Sequence, residues 1–184
     1  MKTPVLWTLG AVAFAIGLVA TPAMTVAQPA PAPTPVPMSK PDFSSMMFLT
    51  GTWTCTQMLR GKQRPDTSTT TIGMDGMWMV TQDVAPPFDQ YRTFPINSTS
   101  YTGYDPAIKQ WIGVEVGSDG SYGIATSPGW QGSTITWTGK NLDGSSGTDV
   151  VTKVSDTETT DNSTGTDAQG KTTNVTITCK KTGN

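Results

Sequence analysis

The chain has 184 residues, 12 basic and 14 acidic side chains, a formal charge of −2, two cysteines and no histidine. That length allows one domain once a targeting segment is set aside, and the absence of any Lys/Arg block excludes an electrostatic footprint for nucleic acid or an anionic membrane surface. Without histidine there can be no Ser-His-Asp or Cys-His pair, no His-ligated zinc and no His-ligated haem. Charged residues are few while Thr, Ser and Gly are abundant. Such a balance favours strands with uncharged polar outer faces over helices.

Residues 1–27 read as a secretory signal. Lys2 supplies the positive start, residues 5–20 the apolar core, and Thr25-Val26-Ala27 the small residues a signal peptidase requires. An uncleaved anchor is the competing reading, but the apolar run is short for a span of roughly 20 residues. Residues 28–41 alternate proline with small residues. This composition prefers extended polyproline II and cannot join a sheet interior, so the segment is expected to be a disordered linker. The remaining 42–184 form the domain. Its lead-in suits a short helical turn, with Asp42 as N-cap and Phe43, Met46 and Met47 on one apolar face, plugging one end of whatever follows.

From Thr50 onward the dominant period is two. Thr52, Thr54 and Thr56 alternate with Trp53, Cys55 and Gln57. Residues 66–73 form a second strand, and Asp75-Gly76 is a tight turn into a third at 77–84. Residues 85–97, rich in proline and aromatics, break the alternation and suggest a long loop over one mouth. Regular hairpins resume at 98–104, 110–116, 121–126, 133–138, 148–154, 157–164 and 172–180, separated by Asp, Gly, Pro and Ser turn chemistry. About ten short strands in a meander predict an all-β fold.

A flat meander of that size would leave two exposed edges, so closure into an antiparallel up-and-down barrel is expected. The cysteines bear on this. Cys55 shares a strand face with Trp53, and Cys179 shares one with Val175 and Ile177, so both thiols point to the apolar interior. First and last strands are neighbours in a barrel, where a disulfide spans a Cα separation of about 5.5–6 Å. Export would expose the pair to an oxidising compartment. Two separate buried thiols are the alternative.

Several runs then carry a resemblance. Phe48-Leu49-Thr50-Gly51-Thr52-Trp53 resembles the opening of small bacterial barrels of the calycin (lipocalin-like) group, especially the domain of unknown function 1579 family. Tyr101-Thr102-Gly103-Tyr104-Asp105-Pro106-Ala107-Ile108-Lys109-Gln110-Trp111 is similar to that family's tyrosine–aspartate turn followed by a Trp strand. Ser127-Pro128-Gly129-Trp130-Gln131-Gly132 and the closing Cys179-Lys180 also fit. The resemblance spans most of residues 43–181 and implies a fold with no established activity.

For function, aromatic and methionine side chains are the main resource. Trp53, Trp78, Met77, Met79, Tyr101, Trp111, Ile135 and Trp137 are the residues expected to line a barrel interior that holds a small hydrophobic or amphipathic ligand. The strand of Trp111 complicates its place, because Ile112, Val114 and Val116 lie on the opposite face. Plain core packing is the competing reading, and with it an envelope protein–protein interaction module with no ligand. Met74, Met77 and Met79 are soft donors of the type that binds Cu(I), but adaptable packing accounts for them as well, and no metal or cofactor is expected. The Thr-x-Thr-x-Thr runs at 52–56 and 134–138 read as soluble outer faces rather than flat binding lattices. Glu115 and Asp83 sit on strands, yet nothing in their spacing brings them together, so an enzyme is not expected. The sequence thus predicts an exported, periplasmic or extracellular protein, a monomer or weak dimer, with no membrane span after signal cleavage.

Overall fold

The computed structural model describes residues 39–59, 61–87 and 93–184. The signal-like segment and all but the end of the proline-rich linker lie outside the described residues. The alternation that begins at Thr50 becomes β1 (Gly51–Leu59), β2 (Lys62–Gly73), β3 (Trp78–Ala85), β4 (Ile96–Asp105), β5 (Gln110–Gly117), β6 (Tyr122–Ser127), the two-residue β7 (Trp130–Gln131), β8 (Thr134–Asn141), β9 (Ser146–Ser155), β10 (Glu158–Thr166) and β11 (Thr172–Gly183). Each strand except β6 pairs antiparallel with the next, β6 pairs with β8 past the short β7, and β1 pairs with β11. The ten longer strands therefore close on themselves, and neither end of the meander is left as a free edge.

Strand bounds run slightly beyond the sequence expectations. β2 starts at Lys62 and carries Pro65 inside it. Its pairing with β3 begins only at Thr67, so the missing N–H of Pro65 costs no bond on that side. Between β2 and β3, Met74, Asp75 and Gly76 all take positive φ (49°, 57° and 81°), which matches the turn expected at Asp75-Gly76.

The seam is bonded as the register requires. Cys55 lies opposite Cys179 and is joined to it by a disulfide, with the Cα atoms 4.0 Å apart. That is closer than the expected separation, because directly opposed residues of an antiparallel pair approach to about 4.5 Å at its narrow positions.

A 3₁₀ turn, Ser44–Leu49, closes the end where β1 begins. Phe43 and Met46 are buried on its inner face, whereas Met47 is 47% exposed. The expected apolar face assumed i, i+3 and i+4. A 3₁₀ helix has three residues per turn, so its inner stripe is Phe43, Met46 and Leu49. The N-cap is Phe43 and not the expected Asp42, which lies one residue earlier and accepts the backbone N–H of Ser44 on Oδ1 at 2.9 Å. Trp53 ties the plug to the wall by donating its indole N–H to the Leu49 carbonyl at 2.8 Å. The Lys181 ammonium lies 5.6 Å from the centre of the Trp53 ring, and the Lys153 ammonium lies 4.3 Å from that of Phe48. Phe43, Met46, Met79 and Ile135 form the buried core at this end, with Trp111, Trp130, Trp137 and Val151 against it.

Among the described residues the opposite end stays open between hairpin turns. Three of these, at 117–121, 141–145 and 167–171, share one pattern. The residue at each start exchanges backbone bonds across the turn, and Gly120, Gly144 and Gly170 adopt positive φ. Asp119, Asp143 and Asp167 each accept a backbone N–H two residues on. These local bonds define the rim.

Candidate ligand cavity

Side chains alternate along each strand, so the register assigns every residue to a face. Starting from the inward Cys55, the pairing carries the interior face through Asp66 on β2, Asp83 on β3, Ser98 on β4 and Glu115 on β5. From Cys179 it runs the other way through Asp161 on β10 and Asp149 on β9 to Trp137 on β8. The lumen is therefore not the aromatic chamber that the sequence suggested. Its plugged half is apolar, and its open half carries carboxylates and hydroxyls.

The expected lining residues separate accordingly. Met79 and Ile135 are buried at the plugged end, and both line the cavity together with Trp137. Trp111 faces inward, resolving the ambiguity of its strand, but it packs on Phe43 and Tyr104 at 5.4 Å ring separations instead of bordering empty space. Trp53 is buried in the wall, committed to the plug. Tyr101 faces outward, paired with Val80 on one side and Val114 on the other. Trp78 is outward too. A Cβ at Gly103 would meet its ring at 2.8 Å, so the indole lies flat over that glycine. Met77 belongs to the β2–β3 turn and does not reach the cavity. The aromatic count suggested an interior list, yet two of its five aromatics, Trp78 and Tyr101, fall on the outer face once register is imposed.

What remains is a cavity of about 660 Å³. Its floor is Met46, Leu49, Met79, Trp130, Ile135 and Trp137. Its walls are Thr81, Ser100, Thr102 and Ser163, with Glu115, Asp149 and Asp161 among them, and it opens between the turns that carry Asp143 and Asp167. Space exists on this side for a simple reason. Gly139, Gly147 and Gly165 stand opposite one another across β8, β9 and β10, and none projects a side chain inward.

Electrostatics divide the lumen further. Arg64 is buried and paired with Asp66 at 3.6 Å on the β2 wall. Lys153 reaches out of the lumen to Asp156 at 2.6 Å. Burial pushes the Asp161 carboxyl up to about 7, reinforced by the neighbouring Asp149 charge. Its Oδ1 is buried without a hydrogen-bond partner, as is the Trp130 indole nitrogen at the floor. Burial likewise raises Asp83 to about 6 against a bond from Ser68, with Asp66 and Glu115 adding repulsion. Asp83 and Glu115, which spacing alone did not relate, thus flank β4 close enough to interact. Met74 is exposed while Met79 is buried, so the three methionines share no site.

Sequence reasoning missed Asp149 and Asp161. Asp149 and Asp161 lie in strands whose two faces are both polar, which leaves no apolar alternation to reveal the inner one.

No protein-family model matches the chain, and no curated protein matches it. Among solved structures, a redesigned β barrel, mFAP1, bound to DFHBI, is similar at 19% identity and a TM-score of 0.32, covering 73% of this chain and 96% of that one.

Proposed function

We propose that this chain is an exported barrel that takes a small amphipathic molecule through the mouth opposite the plug. One observation carries the reading: a cavity of about 660 Å³ with an indole-lined floor, within the range of sites that enclose small molecules. Export is supported by the signal-like first 27 residues and by the Cys55–Cys179 bond, which persists in an oxidising compartment. No helix among the described residues is long and apolar enough to cross a membrane. In this reading the protein is a binder rather than an enzyme, and works as a monomer or weak dimer. The end of β3 at Ala85 and the start of β4 at Ile96 lie at the mouth end, and residues 88–92 between them lie outside the described residues.

The runner-up, an interaction module with a filled interior, needs no internal space, and the cavity weighs against it. Native mass spectrometry of freshly purified protein, with indole-fluorescence titration of amphiphiles, separates the two. The proposal expects a retained small molecule or saturable quenching from Trp130 and Trp137. An empty barrel with no saturable response would leave the interaction module standing.

A further inference from the structure

We infer that the cavity selects an organic cation, an apolar or aromatic body carrying a protonated amine, with the body against Trp130 and Trp137 and the ammonium at Asp161 and Asp149. The inference rests on the binding reading above and specifies its ligand.

Three independent features point the same way. First, the cavity is amphipathic. Trp130, Ile135 and Trp137 line it together with Glu115, Asp149 and Asp161, with Asp149 opposite Trp137 in the ladder and Asp161 opposite Val151, the partner of Ile135. A molecule with an apolar body and a charged end meets both kinds of surface within one cavity. Second, among the described residues the cations near these acids are used elsewhere. Lys153 turns away to Asp156 and Phe48, Lys181 lies over Trp53, and Arg64 is engaged on the β2 wall. Lys140 is the one basic residue among those lining the cavity, and it alternates to the outer face opposite Ile124. Third, two buried polar atoms border this space without partners: Oδ1 of Asp161, an acceptor, and the indole N–H of Trp130, a donor. Buried polar groups ordinarily find partners, and a buried carboxylate with only another carboxylate beside it is costly until a cation joins it. An ammonium supplies both the charge and the donors that Asp161 lacks. A fatty acid would instead place its carboxylate against Asp149 and Asp161. Indole faces on the floor suit an apolar or aromatic body.

The test uses three probes with one chain length: decylamine, decanol and decanoate, each below its aggregation threshold, titrated into the disulfide-bonded protein at pH 8. Asp161 is ionised there, while a primary amine keeps its proton. Decylamine is expected to bind at least tenfold tighter than decanol, with decanoate weakest. Asp149→Asn and Asp161→Asn should each cut the amine-over-alcohol preference severalfold. Equal affinities for amine and alcohol, or a preference for decanoate, would overturn the cation assignment while leaving the binding reading intact. Saturable binding of none of the three would remove both. Because either aspartate variant reports alone, misfolding of one leaves the other decisive.

Discussion

The two sides of this barrel are built on opposite principles. Along β1, β2 and β11 the interior is filled: a disulfide bridges the seam, Arg64 pairs with Asp66 behind it, and Trp53 pins the plug. Beyond the plug, β3 to β10 enclose a hollow, with facing glycines on β8, β9 and β10 and carboxylates on its wall. The filled side spends its residues on closing a ring. The hollow side is held open by that closure, since a wall lined with Asp149 and Asp161 has little apolar area with which to hold itself together. Stability and binding should therefore respond to substitutions on different sides.

The largest effect is expected at the seam. Replacing both cysteines by serine releases a loop with a sequence separation of 124, which the chain-entropy model values at about 5 kcal/mol. Urea unfolding of the double variant should show a lower midpoint with the far-UV signature of the barrel retained. An unchanged midpoint would mean that the seam is held by its ladder alone.

Next comes pH, which reads the hollow side. Asp83 and Asp161 have folded-state values raised to about 6 and about 7, above an unfolded value near 3.9. Between those limits the folded protein holds more protons than the unfolded chain. Their contribution is thus fully favourable below about pH 4 and is lost as pH rises through 6 to 7, by on the order of 3 kcal/mol for each group. Exposed Asp42, Asp143 and Asp156 are shifted downward and oppose this over a lower range. Thermal unfolding between pH 5 and pH 8 should show stability falling, and Asp161→Asn should flatten the decline. A stability that rises over that interval would contradict the burial of these carboxyls.

The smallest stability effect is the most informative about the cavity. Ser163→Leu inserts an apolar side chain into open space between Asp149 and Val175. Its unfolding free energy should stay within about 1 kcal/mol of the parent, as there is little to clash with. Decanol binding should weaken at least tenfold. Loss of stability with binding retained would place the hollow elsewhere.

Much of the fold was legible because strands announce themselves locally. Turn residues such as Asp119-Gly120 and Asp143-Gly144 mark hairpin ends without reference to anything distant, and Thr52-Trp53-Thr54-Cys55 shows which face is inward. The site was less legible. Trp78 and Tyr101 look like ligand contacts by type, yet each lies one position out of phase with its inward neighbour. Asp161 shows no phase, since Thr160 and Asn162 beside it are as polar as itself. Met47 failed as a plug residue because a 3₁₀ turn repeats at three residues, which a short apolar run cannot distinguish from a repeat of four.

By itself the sequence determined the meander and pointed to closure and a Cys55–Cys179 bond, for these follow from local period and from the avoidance of free edges. Tertiary structure alone decided that the lumen is half acidic and hollow. Which side chains share an interior depends on register between strands more than a hundred residues apart, as at β1 and β11, and no local pattern encodes that sum.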